Sequence, residues 1–156
     1  MERREFIALL GGAAALLPSQ AGGGSAHPGQ TPDKKLIGSW SFVSSVNTRS
    51  DGTLVDRWGP NTKGILMFDD HGHFSQIIIG SESRMFGAKT FSAFGDYTFD
   101  VEGGTIAMRF DGCSIARTIG SLQERKVVLL TADELKYINP MTTSGTIAEV
   151  LWKRLV

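Results

Sequence analysis

Four potential metal ligands fall within five consecutive positions of this chain: Asp69, Asp70, His71 and His73, with Gly72 between the histidines. Carboxylate oxygens and imidazole nitrogens at that density are what a divalent-cation site uses. Asp-Asp-His-Gly is equally the composition of a solvated hairpin turn, and a closed site would need more ligands from distant segments. The expectation is a turn, with no metal and no cofactor. Arg125 alternates with Val127 and Leu129, while Leu122, Val128 and Leu130 fall on the opposite face. If the Arg125 face is internal, its guanidinium could hold a ligand carboxylate through paired hydrogen bonds. Alternation alone leaves that direction open. Tyr97 and Phe99 share a face with Val101, opposite Asp96, Thr98 and Asp100. They read either as core aromatics or as a hydroxyl aimed into a cavity.

Cys113 is the single cysteine, so no intramolecular disulfide can form. It is expected to be a small buried hydrophobe. The chain contains no nucleophile-elbow motif, phosphate loop, metalloprotease helix motif or CxxC. That does not exclude an enzyme, because an isomerase, cyclase or hydrolase on a small barrel needs only a shaped pocket and a few polar groups. Tyr97, Arg125 and Asp96 are the groups such an enzyme would use.

These residues lie on segments that read as strands. Leu36 to Asn47 places Trp40, Phe42, Ser44 and Val46 on one face and Ser39, Ser41 and Ser45 on the other. Further strands are expected at 64–68, 73–79, 94–101, 105–110, 121–130, 135–139 and 146–155, with Gly- and Asp-rich turns between them. Residues 80–93, with Met85, Phe86 and Phe91, read as a long connection, either a lid over a barrel mouth or a loop packed outside. Eight sequential strands predict an all-β, up-and-down antiparallel barrel. A two-sheet sandwich is the rival.

Ahead of the strands, Arg3-Arg4-Glu5-Phe6-Ile7 precedes an apolar stretch from Ala8 to Leu17, then Pro18 and small residues ending at Ala21 or Ala26. That order is a secretory signal, and the paired arginines resemble a twin-arginine leader over residues 1–21. The apolar stretch is too short to span a bilayer, and no later segment is long enough. Residues 22–33, rich in Gly, Ser and Pro, read as a linker, leaving 34–156 as one domain. The mature protein is expected to be periplasmic or secreted, without a membrane anchor, as a monomer or weak dimer. Sixteen Lys and Arg balance sixteen Asp and Glu with no basic run, which argues against nucleic acid as a partner.

Leu36-Ile37-Gly38-Ser39-Trp40 resembles the glycine-x-tryptophan opening of lipocalins. Asp51-Gly52, Gly59-Pro60, Gly64 to Phe68, Gly72, Gly95-Asp96-Tyr97, Gly120, Arg125 and Leu151-Trp152-Lys153-Arg154 follow in order. Over Leu36 to Leu155 the chain is similar to the bacterial lipocalin-like domain family. Many relatives carry a histidine-rich strand after the tyrosine strand. Thr105 to Phe110 has no histidine, so no role of those histidines carries over. The resemblance implies a lipocalin-like eight-stranded barrel closed at one end by Trp40 with Arg154 lying across it, a structural pair. It also implies a cavity for a small apolar or amphipathic ligand, with Tyr97, Phe99, Arg125, Phe42, Met85 and Phe86 as candidate lining. A small-molecule enzyme, or a filled barrel acting through its surface, remain the alternatives.

Overall fold

The computed structural model describes residues 32–83 and 87–156. The leader, the linker up to residue 31, and Met85 and Phe86 lie outside the described residues. The linker's last residue, Asp33, belongs to the fold: its carbonyl accepts from Leu36 N at 2.9 Å and its carboxylate from Lys35 N at 2.7 Å.

The strands are β1 (Gly38–Thr48), β2 (Leu54–Val55), β3 (Lys63–Phe68), β4 (His73–Ser83), β5 (Gly87–Asp100), β6 (Thr105–Cys113), β7 (Leu122–Leu130), β8 (Glu134–Asn139) and β9 (Ile147–Arg154). Every pairing is antiparallel between successive strands, except that β1 pairs with β3 and β9 returns to β1. Eight strands therefore close into an up-and-down barrel, each of the eight paired with a neighbour on both sides. The two-residue β2 only tacks the chain after β1 against Asn47 and Thr48.

Alternate side chains fill the interior. Ile106, Met108 and Phe110 from β6, Leu135 and Tyr137 from β8, and Ala148, Val150 and Trp152 from β9 are all buried. Burying aromatics and branched aliphatics at about 25 cal/mol per Å² of apolar surface is the main force holding the barrel together. A slanted T-shaped relay of Phe74, Phe110 and Phe91 rings, with centroids 5.4 and 6.5 Å apart, runs up one wall.

Four strand expectations need correction. First, residues 80–93 are not a long loop. β4 continues to Ser83 and β5 begins at Gly87, so the two form one long hairpin. Small and polar residues such as Thr90 and Ser92 hide the alternation of Phe91 and Ala93, which does point inward. Second, a β-bulge between Phe42 and Ser44 reverses the parity of β1. One extra residue sends every later side chain to the opposite face. Val46 is consequently 48% exposed while Asn47 is 2% exposed, and Ser45 turns inward. Third, β7 has the same irregularity between Val127 and Leu129, which turns Leu129 outward and Leu130 inward. Fourth, Val101 does not continue the Tyr97–Phe99 face. β5 ends at Asp100, and Val101 is exposed in the turn.

Candidate functional site

The two ends of the barrel differ. At one end Trp40 is fully buried, its indole N–H donating to Leu36 O at 3.0 Å, and Leu36 itself plugs the opening. The Arg154 guanidinium lies over the Trp40 ring, 4.1 Å from its centroid. Its nitrogens donate to the carbonyls of Ile37 at 2.8 Å, Lys35 and Ala132. Gly38 explains the glycine two positions before the tryptophan. Its φ is +133°, and a Cβ there would come within 2.5 Å of Arg154 Nη1. Cation–π attraction with desolvation is worth on the order of 2 kcal/mol at such a contact.

Tyr97 and Phe99 belong to this filled end. The Tyr97 ring packs edge-on against Phe68 with centroids 4.7 Å apart, and its hydroxyl donates to Asp69 O at 2.7 Å. That hydroxyl is occupied in fastening the β3–β4 turn, and neither residue lines the cavity. Phe42 stands one layer higher, edge-on to Trp152 at 5.5 Å, and also lies outside the cavity lining. Asp96 faces outward beside His73, 3.7 Å away, so Tyr97, Asp96 and Arg125 do not converge.

The Asp-His segment is a turn. Asp69 Oδ1 accepts from the backbone N–H of His71 at 2.9 Å and of His73 at 2.7 Å, and its Oδ2 lies 2.9 Å from His73 Nδ1. His71 pairs with Asp70 instead. The Asp69 hydrogen bond holds the His73 pKa above its ordinary value. Among the described residues no three His, Cys, Asp or Glu side chains group as a metal site. Cys113 is only partly buried, its sulfur accepting from Ile115 N at 3.4 Å.

At the other end the packing stops one layer above Trp152 and Leu135, leaving a cavity of about 70 Å³. Its apolar wall comes from Trp58, Ile78, Phe91, Ala148 and Val150, and its polar wall includes Gln76, Gln123, Arg125, Tyr137 and Asn139. None of the lining residues is an aspartate or glutamate. Arg125 faces inward and is 4% exposed. Its Nη1 donates to Glu124 O at 2.9 Å and Asn139 Oδ1 at 3.2 Å, and its Nη2 to Gln123 Oε1 at 2.8 Å. All three acceptors are neutral, and among the described residues no carboxylate pairs with it. Burial works against the charged guanidinium, with the neighbouring Tyr137 hydroxyl partly offsetting it.

Tyr137, rather than Tyr97, is the phenol of this cavity. Burial raises its pKa, and Arg125 pulls in the opposite direction. The Trp152 indole N–H, buried with no hydrogen-bond partner, lies toward the same hydroxyl. Tyr137 was given no role from the sequence; register across from Val127 and Val150 in β8 places it beside Arg125.

The mouth is crossed by the chain between β2 and β3. Arg57 Nη1 donates to Ser144 Oγ at 2.6 Å and its Nη2 to Thr143 Oγ1 at 3.3 Å, tying this strap to the β8–β9 loop. Its guanidinium also lies 5.3 Å from the Trp58 ring centroid. Burial first, then the nearby Arg117, lowers the Arg57 pKa. Ser81 N donates to Trp58 O at 2.6 Å, a backbone approach that Gly80 permits, since a Cβ there would come 2.6 Å from that same oxygen.

No protein-family model matches the sequence, and no curated protein does so. Solved structures similar to this chain include a lipocalin-like protein from Bacteroides uniformis, with a TM-score of 0.46 and 19% identity over 78% of this chain and 99% of that one. Bovine odorant-binding protein, solved with a selenium-containing odorant, gives a TM-score of 0.47 and 20% identity, covering 84% of this chain and 77% of its own. A redesigned β-barrel gives 0.48 and 15%, covering 78% and 93%. The likeness at these identities is one of fold alone.

Proposed function

We propose that this chain is an exported binding protein that carries one small amphipathic molecule in the open half of its barrel. The observation that carries this reading is the abrupt end of the packing above Trp152. A core built only for stability would continue its apolar layers to the mouth. Here the next layer combines a buried arginine, a phenol and amides around a void, beneath a strap fastened by its own hydrogen bonds. A few fixed polar groups against an apolar wall are how binding cavities orient a ligand. The cavity, partly open at its mouth, has room for roughly five waters at one probe sphere each. A larger ligand therefore enters by displacing the Arg57–Trp58 strap. A catalytic reading built on Tyr97, Asp96 and Arg125 lacks support, because those groups stand at different places on the barrel.

Native mass spectrometry of the protein purified from its secreted or periplasmic fraction tests the carrier reading. A small molecule released unchanged on unfolding is expected. A mass equal to the bare chain, together with no saturable binding across a panel of short amphipathic compounds, counts against it. The export component has a separate check. Arg3→Lys with Arg4→Lys should retain the uncleaved chain in the cytoplasm, and normal secretion of that variant removes the twin-arginine reading.

A further inference from the structure

Resting on the cavity reading above, we infer that the bound molecule is a short-chain carboxylate, its anionic head on the Arg125 guanidinium and its chain along Trp58, Phe91 and Ile78. Three features of the cavity lead there. The first is charge. Two arginines line the space and no acidic residue does, although the chain as a whole has equal numbers of both signs. The acidic residues nearest in sequence are turned elsewhere: Asp56 accepts from Trp58 N and Gly59 N, and Glu124 is exposed on the outer face. A buried cation without a counter-charge is the state that an anionic ligand would relieve.

The second feature is the use of the guanidinium's donors. A guanidinium carries five N–H groups. The bonds to Glu124, Asn139 and Gln123 engage Nη1 twice and Nη2 once and none of the three uses Nε, while the Tyr137 hydroxyl also lies against the guanidinium. The Nε–Nη2 edge is one of the two that take a carboxylate side-on through parallel hydrogen bonds. Gln123 and Asn139 meanwhile hold the guanidinium plane in place. The third feature is size and polarity together. Some 70 Å³ with an aromatic and aliphatic wall suits a head group with a few carbons behind it. Inorganic phosphate would satisfy the charge but leave that wall facing nothing.

Butyrate, 1-butanol, butylamine and inorganic phosphate, titrated in low-chloride buffer and followed by NMR of the Trp58 indole N–H and Arg125 Nε–H, test this. Butyrate should bind at least about tenfold more tightly than 1-butanol, as a charge-assisted hydrogen bond implies, and should shift the Arg125 Nε–H signal. Arg125→Met should bring butyrate down to the level of 1-butanol. Equal binding of butyrate and 1-butanol overturns the anion assignment while leaving a binding cavity in place. Tighter binding of phosphate than of butyrate overturns the carboxylate class. Butyrate binding that survives Arg125→Met overturns the role of Arg125. Should that variant fail to fold, the wild-type comparison and the Arg125 Nε–H shift still decide, an unmoved signal counting against the inference. No binding by any of the four, in the wild type or in Arg57→Ala with its strap released, removes the cavity reading and this inference together.

Discussion

Replacing Arg125 with methionine separates a structural arginine from one kept for a ligand. Methionine keeps the apolar stem out to about the Nε position, so the exchange removes charge and donors and opens the space of the guanidinium head onto the adjoining cavity. What is lost is three hydrogen bonds to neutral acceptors, at 2.8, 2.9 and 3.2 Å. Bonds from a charged donor contribute about 1.5–3 kcal/mol each. What is relieved is the desolvation of an almost completely buried cation, an effective penalty of several kcal/mol even after relaxation. The two nearly cancel, and the freed amides of Gln123 and Asn139 line the cavity, where water can reach them. The expected change is therefore between zero and about 2 kcal/mol of added stability, as seen when buried charges give way to apolar isosteres. At roughly 3–5 °C per kcal/mol for a domain of this size, the apo Tm should hold or rise by up to about 10 °C. Urea unfolding followed by circular dichroism measures it. Had Arg125 been half of a buried ion pair, breaking the pair would cost about 3–5 kcal/mol. A loss above about 2 kcal/mol in the variant therefore refutes the claim that this cation is uncompensated.

Three further outcomes follow from the same structure. Arg57→Ala removes the ties to Thr143 and Ser144, so ligand exchange should become faster by about tenfold with stability changed by less than about 1 kcal/mol; stopped-flow release rates report it, and unchanged rates would mean that the strap is no gate. Gly38→Ala puts a Cβ within 2.5 Å of Arg154 Nη1 at a φ of +133°, so it should lose about 1–3 kcal/mol, measured by chemical unfolding, whereas a neutral result would mean that Arg154 does not sit on Trp40. The folded-state pKa of Tyr137 is raised by burial, so its stability contribution is complete below its unfolded value of about 10 and is lost as pH rises through the folded value. Unfolding curves between pH 8 and 11.5 should fall with pH in the wild type and more shallowly in Tyr137→Phe, because Tyr97 contributes with the same sign. Identical slopes would place Tyr137 in solvent.

The barrel was legible in the sequence because its strands alternate and its turns carry glycine, aspartate and asparagine where the chain reverses. The tryptophan at position 40 and the arginine at 154 were legible too, since each sits at a strand position tied to the closed end. A cavity with Arg125 on its wall was expected as well, but the rest of its lining was not, and the reason is local. A period-two pattern assigns faces correctly only while register holds, and the bulge after Phe42 breaks it in the strand that crosses from the filled end to the mouth. Reading straight through that point sends Val46 inward and Asn47 outward, the reverse of what forms. The cavity's polar wall then looks like surface. The long β4–β5 hairpin shows the complementary failure: small residues near Ser83 and Gly87 satisfy a strand backbone without the alternation that advertises one.

Both failures have one physical origin. Alternation measures burial against apolar neighbours, so it is strong where the interior is filled and weak where it is not. Phe68, Tyr97, Phe99 and Met108 announce themselves because they pack the closed end. Asn47, Gln76, Gln123 and Arg125 are polar, inward-facing and close to the void, so an alternation rule reads each of them as surface or leaves its direction unsettled. The stretch of barrel where the hydrophobic pattern fades is thus the stretch where the interior has been given to polar groups. Polar groups facing inward cost stability unless something meets them. Among the described residues Arg125 has hydrogen bonds to neutral acceptors but no counter-charge, and the space beside its guanidinium is what a ligand would fill.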